Sequence, residues 1–416
     1  MKVVIVNNSD SLGGAAIVSR RLMHALRDAG VDTRMLVLNK STDDPAVAQC
    51  CGKTRRFIDF ALERLRIMAG NGFNRRDLFK VSLADTGCDI SRHPWIREAD
   101  IVALNWINQG MLSLADIKRL HRAGKKIVWT MHDMWCLTGV CHHAHRCTRY
   151  TDRCGHCPYL HDGRRDRDLS RTVWKRKSRL YASVPIHFVP VSNWLAGKCR
   201  ESSLLQSADV TVIPNAFPTA DFNVTPSRPG DKLPVTPDRN IILMGAARLD
   251  DPIKGLDYAI DALNIIARAH PEVAAECEAV FFGAIRNPQL LERLEFPYRH
   301  LGMITDSRLV SDLYAASRII LSTSLYETLP GTLIEGMAGG CIPVSFAQGG
   351  QADIFTHLDT GYMAQYKSPQ SVAEGILWAL KHDITRNRLH DEVVTRFSAE
   401  AVARRYIALF NRILQH

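Results

Sequence analysis

Two glutamates, Glu327 and Glu335, stand eight positions apart in the stretch "SLYETLPGTLIEGMAGGCIPVS", residues 324–345. The segment before them, "RIILSTS", reads as a strand, and "TLIEGMAGG" reads as a helix, so "LPGT" is the turn that opens the helix. Such a helix start presents free backbone N–H groups and the positive end of the helix dipole, a grip for an anion at Gly331 and Thr332. Glu335, within the helix, and Glu327, on the loop, are placed to accept hydrogen bonds from hydroxyl groups on either side of that anion. By itself the pair reads more simply as a dipole-complementing acid and a solvated neighbour. Upstream, however, "MGAARLDDPIKGLDYAIDAL" sets Arg248 and Lys254 between another strand and another helix. Two cations, a helix start and two hydroxyl acceptors together describe a site for a diphosphate flanked by a ribose and a second sugar.

The N-terminal half adds its own candidates. "NNSDSLGGAA" places Gly13 and Gly14 between the first strand and the first helix. The spacing is not G-x-G-x-x-G, so no dinucleotide fingerprint is present, but a glycine pair still lets a ligand approach the backbone. "VWTMHDMW" puts His132 at the carboxyl end of a strand, and Ser192 and Asn193 in "VPVSNWLA" occupy another strand end. Residues 136–157, "CLTGVCHHAHRCTRYTDRCGHC", hold Cys136, Cys141, Cys147, Cys154 and Cys157 with His142, His143, His145 and His156. Cys154 and Cys157 form a C-x2-C knuckle, and Cys141 with Cys147 supplies a second pair. In a reducing compartment this favours a structural zinc over disulfides. The spacing is not that of a standard zinc finger, and ordinary thiols or redox chemistry remain the alternatives. A D-x-D triplet, "DRD" at 166–168, lies among arginines and is too short a match to be read as a catalytic metal site.

These residues need strands to hold them. At 416 residues, with 46% hydrophobic and 23% charged residues, the composition is that of a folded two-domain protein. "KVVIVNN", "TRMLVLN", "DIVALNW", "KKIVWTMHD", "IHFVPVS" and "VTVIPN" read as buried strands alternating with helices, which predicts a parallel sheet. A second series runs from "NIILMGAA" through "AVFFGA", "RHLGMI" and "RIILSTS" to "CIPVSF". The proline-rich stretch 223–239 joins them, with the junction near residue 230. The expected organisation is an N-terminal domain at 1–225 carrying the Cys/His-rich insertion at about 136–160, a second at 226–390, and a terminal helix at 391–416 crossing back to the first. Ligands of such sheets bind at the carboxyl ends of the strands, where the candidate residues fall.

The C-terminal series, from "MGAARLDDPIKG" through "DLYAASRIILSTSLYETLPGTLIEGMAGGCIPVSF" to "QGGQADIF", resembles the donor domain of GT-B glycosyltransferases of the retaining family GT4, the group 1 transferases. The likeness covers about residues 241–365. The Arg248–Lys254 spacing is one longer than in many members, and Glu335-Gly336 stands where Glu-Ala is usual. The resemblance implies two Rossmann-like domains facing each other across a cleft. It implies that Arg248 and Lys254 bind the donor diphosphate, Glu335 the ribose and Glu327 the transferred sugar. Gly13 and Gly14 would lie under the donor and His132 would face the sugar. Catalysis would need no cofactor, because the cations and the Gly331 helix start do the work of a metal. The expected partners are a UDP- or GDP-linked sugar and a glycan or lipid-linked acceptor.

Charge is uneven. Residues 1–220 hold 34 Lys and Arg against 20 Asp and Glu, and the remainder 19 against 23. The basic stretches "KTRRFIDFALERLRIM" and "RRDRDLSRTVWKRKSRLY" read as amphipathic helices. They suit a solvated face, or peripheral contact with a membrane bearing a lipid-linked acceptor. With no apolar run approaching the roughly 18 residues of a membrane span and no leader pattern, the expected place is the cytoplasm, at the inner face of the membrane. A nucleic-acid-binding protein with a zinc site would show basic residues interleaved with aromatics on one face, and no nucleic-acid partner is expected. A non-catalytic sugar-nucleotide binder is the other alternative. A phosphorylase would need a pyridoxal lysine site, which nothing marks.

Overall fold

The computed structural model describes residues 1–160, 165–227 and 233–415. The junction expected near residue 230 lies outside the described residues. The chain divides into two compact units, Met1–Ala216 with Val402–His416, and Phe217–Ala401.

The first unit holds a six-stranded sheet of β1 (Lys2–Ser9), β2 (Asp32–Asn39), β3 (Val47–Gln49), β4 (Ile101–Leu104), β5 (Lys126–Met131) and β6 (Ile186–Pro190), all paired in parallel in the order β3-β2-β1-β4-β5-β6. The runs Val3–Val6 and Ile101–Leu104 are buried throughout, as a sheet covered on both faces requires. Its helices are α1 (Gly14–Asp28), α2 (Lys53–Gly70), α3 (Pro94–Glu98), α4 (Leu114–Arg122), α5 (Leu169–Tyr181) and α6 (Asn193–Glu201). A reciprocal cap opens α4: Ser113 Oγ accepts from the Asp116 N–H at 3.1 Å, and Asp116 Oδ2 accepts from the Ser113 N–H at 2.8 Å. The segment "VTVIPN" is not a strand; Val210 forms one isolated bridge with Phe188, and Pro214, which has no N–H to offer, follows shortly after.

The second unit repeats the plan with β7 (Asn240–Arg248), β8 (Cys277–Ala284), β9 (Tyr298–His300), β10 (Ile319–Ser322), β11 (Ile342–Phe346) and β12 (Tyr362–Ala364), in the order β12-β11-β10-β7-β8-β9. Its helices are α7 (Leu256–Ala269), α8 (Pro271–Ala275), α9 (Ser307–Ala316), α10 (Gly331–Ala338), α11 (Pro369–Lys381) and α12 (Arg386–Phe397). Both sheets therefore reverse direction beside their first strand, between β1 and β4 and between β7 and β10. Ligands of open α/β sheets bind outside the strand ends at such a point.

The C-terminal segment is not one helix. α12 and α13 (Ala399–Gln415) part at Ser398, which takes an extended conformation and bridges to Phe217, whose N–H donates to the Phe397 carbonyl at 2.9 Å. The first unit's main segment accordingly ends at Ala216, short of residue 225. The second runs past residue 390 because α12 lies on α10, with Arg396 Nη1 donating to the Ile354 carbonyl at 2.8 Å and His390 Nδ1 2.6 Å from the Ala338 carbonyl. α13 belongs to the first unit: the buried hydroxyls of Tyr406 and Thr130 lie 2.9 Å apart, and Arg405 Nη2 donates to the Val212 carbonyl at 2.6 Å.

Candidate active site

In the second unit, the loops after β7 and β10 stand side by side at the reversal of strand order. β7 ends on Arg248 itself, after a register shift against β8 between Gly245 and Arg248. This irregularity re-aims the strand end, as bulges near active sites do. It requires Gly283, at φ +126°, because a Cβ there would meet the Ala246 carbonyl oxygen at 1.7 Å. Arg248 Nη2 pairs with Asp251 Oδ2 at 2.8 Å. Its buried Nε–H has no hydrogen-bond acceptor among the described residues, with Asp250 Oδ1 3.7 Å away. An unmet buried donor on a cation is a place for an anionic oxygen.

Lys254 closes a single 3-10 turn, Pro252–Lys254, capped by the Asp251 side chain. Its Nζ meets Glu327 Oε1 at 2.5 Å, with both side chains partly exposed. The contact places the Lys254 ammonium and the Glu327 carboxylate side by side, whereas the sequence reading gave them separate parts of one ligand. Two features behind them fix the loops. Gly255 is left-handed, with a Cβ position 2.2 Å from the Thr323 carbonyl oxygen, and the Leu325 N–H donates to the Ile253 carbonyl at 2.7 Å. Gly349 and Gly350 press on the Glu327 loop. The Gly350 N–H donates to the Glu327 carbonyl at 2.9 Å, and a Cβ on Gly350 would lie 1.9 Å from the Thr328 carbonyl oxygen. The sequence reading noted "QGG" without giving these glycines a task.

α10 starts at Gly331 with Pro330 as its N-cap, which makes no side-chain cap hydrogen bond to the first-turn N–H groups. Gly331 is a glycine because Phe217 packs 2.9 Å from where its Cβ would be. Glu335, half-buried, lies beside the buried Tyr314 hydroxyl; burial, then the Glu335 carboxylate, push the Tyr314 phenol well up. Glu335 therefore has a structural task in addition to any contact with a ligand.

In the first unit, the turn after β1 is tied by Ser9 Oγ, which accepts from the Ser11 and Leu12 N–H groups. Gly13 takes φ +87° and ψ 164° and N-caps α1. A Cβ at Gly13 or Gly14 would meet nothing within 4 Å, so these glycines leave open surface rather than relieve a clash. His132 follows β5 and its Nε2 lies 2.8 Å from Asn105 Oδ1. The Asn105 amide nitrogen donates to the Ala103 carbonyl, so its oxygen faces the imidazole and His132 donates from Nε2. Burial lowers the His132 pKa to about 4, against the pull of Asp133, so the ring is neutral near pH 7. Asp133 Oδ2 accepts from His142 Nδ1 at 2.7 Å and from Trp106 Nε1 at 2.9 Å. Burial is the largest single influence and raises its pKa, but His142, His143 and the Trp135 N–H together outweigh it and hold it at about 2. Asn105, Trp106 and Asp133 escaped the sequence reading because they meet across the ends of β4 and β5. Their sequence signal is that polar residues follow each strand directly, in "ALNW" and "TMHD".

The remaining candidates separate. Ser192 is the N-cap of α6, its Oγ accepting from the Leu195 N–H at 3.2 Å, and Asn193 is exposed at the first position. In the "DRD" triplet, Asp168 caps α5 and Asp166 pairs with Arg171, so both carboxylates have protein partners. Lys177, within one of the basic stretches, is fully buried. Its Nζ donates to the Trp135 and Thr138 carbonyls and lies 3.3 Å from the Trp135 ring centroid, which fixes the chain just after His132.

Comparison with known proteins follows the same division. Residues 12–221, about half of the chain, match the model described as Glycosyltransferase Family 4, and residues 239–382 match that described as Glycosyl transferases group 1. A 2-deoxystreptamine N-acetyl-D-glucosaminyltransferase from Niallia circulans is 30% identical over 122 residues, 28% of this chain and 31% of that protein. The chain spans less than half the length of the curated relatives it matches, 29–41%. Among solved structures, sucrose-phosphate synthase from Thermosynechococcus elongatus aligns over 100% of both chains with a TM-score of 0.66 at 17% identity. Anabaena HepE in complex with UDP and glucose aligns over 99% of both with a TM-score of 0.58 at 14% identity. With two parallel sheets of the same order and a family match across both units, the chain belongs to the family 4, group 1 glycosyltransferases and has the GT-B fold.

Proposed function

We propose that the protein is a retaining, metal-independent transferase that moves a sugar from a nucleoside-diphosphate sugar to a hydroxyl of a glycan or lipid-linked acceptor in bacterial surface polysaccharide synthesis. The observation that carries the reading is the Lys254–Glu327 contact beside the uncapped start of α10. Breaking the anomeric bond leaves negative charge on the diphosphate. Lys254, Arg248 and the first-turn N–H groups of α10 would meet that charge, each preorganised donor contributing roughly 3–4 kcal/mol. Glu335 would take the ribose hydroxyls, and Glu327, once Lys254 turns to phosphate, the hydroxyls of the sugar. Neutral His132, whose Nε2–H is donated to Asn105, would meet a sugar hydroxyl as an acceptor, without placing a second positive charge near an oxocarbenium-like centre. Gly13, Gly14 and Asn193 of the first unit are taken, from the family resemblance, as further donor-binding residues. No side chain is assigned as a covalent nucleophile; the acceptor hydroxyl attacks from the face the diphosphate leaves, which retains configuration. Support for a UDP donor comes from Anabaena HepE, whose complexes hold UDP and UDP-glucose.

The reaction is tested by release of the diphosphate from UDP- and GDP-sugars and by proton NMR of the new anomeric linkage. Retained configuration and turnover that survives EDTA are expected. An inverted product would remove the front-face step. Turnover lost in EDTA and restored by manganese would sink the metal-independent account.

The lipid-linked acceptor rests on α2. This helix is turned inside out: Asp59, Glu63 and Arg64 are buried, Glu63 accepting from the Leu83 and Ala84 N–H groups, while Phe57, Ile58, Leu62 and Leu65 are exposed. Phe73 and Phe79, on the segment after α2, are exposed at 71% and 63%, and Lys53 and Arg66 on the helix and Arg75 and Arg76 on that segment are exposed as well. Beside α2 a groove of about 810 Å³ is walled by Arg66, Lys118, Arg176 and Arg179 over Leu83, Leu114 and Leu180. Exposed aromatics together with exposed cations suit an anionic lipid surface. No helix of the described residues is long and apolar enough to cross a membrane. Phe57→Asp and Leu65→Asp should each weaken partitioning onto phosphatidylglycerol vesicles roughly tenfold or more, from the loss of an apolar side chain's burial. Wild-type protein that sediments no better with phosphatidylglycerol than with phosphatidylcholine would remove this surface from the account.

A further inference from the structure

Residues 132–168 connect β5 to α5 with little regular structure; the described residues form two short 3-10 turns, Trp135–Leu137 and Arg149–Thr151. A long connection is expected at the surface, yet Met134, Leu137, Val140, Cys141, Ala144, Cys157 and Leu160 are buried. Something other than a helix or sheet ladder must hold this segment together.

We infer that Cys141, Cys147, Cys154 and Cys157 form a four-thiolate site for one structural zinc ion. All four line a single small cavity of about 20 Å³, whose wall also includes Gly139, Ala144, Arg149, Tyr150 and Tyr159. That volume suits one small occupant, as about 10–15 Å³ suffices for a water. All four are free thiols, and the one disulfide among the described residues joins Cys51 to Cys88 elsewhere. Four cysteines on one cavity supply the four-thiolate donor set of a closed structural zinc site. The Gly139 N–H points at Cys154 Sγ from 3.2 Å, the kind of outer contact that orients a metal-bound thiolate.

The backbone between the two knuckle cysteines carries a second, independent sign. Cys154, Gly155 and His156 are all left-handed, at φ 50°, 112° and 46°. Two non-glycine positions in that region, one on each side of Gly155, persist only where the surroundings over-determine them. A C-x2-C turn clamped at both sulfurs supplies that constraint.

The sulfurs stand wider than a bound zinc would hold them. Among the described residues, the one group of three or more ligand atoms within 4.8 Å of one another is Cys50, Cys51 and Cys88. That trio has two of its sulfurs in the disulfide and so offers one thiol. Binding at the quartet draws the side chains inward around the cavity they already line.

The test is metal analysis of the full chain purified under reducing conditions, with zinc K-edge absorption on the same sample. About one zinc per chain, with a sulfur shell near 2.3 Å, is expected. Cys154→Ser and Cys157→Ser should each lower the zinc content at least tenfold, while Cys277→Ala keeps it. Should the serine variants fail to fold, the wild-type absorption shell and the thiolate charge-transfer bands of the cobalt-substituted protein still decide. Zinc absent from the wild type, a nitrogen or oxygen shell, or zinc lost on Cys50→Ser and kept on Cys154→Ser would each overturn the assignment.

Discussion

Lys254→Met lowers the saturated turnover rate by two to three orders of magnitude, roughly 3–4 kcal/mol of transition-state stabilisation. Methionine keeps an apolar stem and deletes the charge that meets the growing negative charge on the leaving diphosphate. Donor affinity falls by less, because the uncapped start of α10 still grips a phosphate. The variant also releases Glu327 from its 2.5 Å contact. Part of the loss therefore reflects a misplaced sugar contact, and the double variant Lys254→Met/Glu327→Gln loses less than the sum of the two. Separate measurement of the saturated rate and the Michaelis constant tells the readings apart. A raised Michaelis constant with an unchanged rate would make Lys254 an anchor for the ground state.

Glu335→Ala weakens binding of the donor's nucleoside diphosphate about 10- to 100-fold, the range of a charged hydrogen-bond acceptor lost from a ribose at roughly 1.5–3 kcal/mol. Because Glu335 also lies beside buried Tyr314, the substitution lowers thermal stability as well. Glu335→Ala/Tyr314→Phe separates the two effects: removing the phenol restores most of the stability and none of the affinity. Calorimetry that finds unchanged affinity in the single variant would take Glu335 out of the site.

Much of this site was legible in sequence because its residues follow strands closely. Arg248 ends β7, Lys254 and Glu327 lie on the loops after β7 and β10, and Glu335 lies in α10; the two strands carry the apolar runs "IILM" and "IIL". Parallel strands buried on both faces leave that signature. β3 and β12, three residues each, are too short to show any period. Ser398 breaks the terminal helix through a long-range bridge to Phe217, which local pattern cannot foresee. The burial of Lys177 and the inverted faces of α2 were hidden for a related reason. A charge on an amphipathic helix is read as solvated by default, whereas Lys177 and Glu63 point inward to satisfy backbone groups of irregular segments. The partner of His132 was illegible because Asn105 lies one strand away in space and far along the chain.

The central claim is that the loops after β7 and β10 hold a nucleoside diphosphate. Its most direct test is a thermal-shift screen of UDP-, GDP- and ADP-linked sugars on the wild type and on Arg248→Met/Lys254→Met. The account predicts that one base series raises the melting temperature of the wild type and that the double variant loses most of that shift. A wild type unmoved by every donor, or a double variant that keeps the full shift, would contradict it.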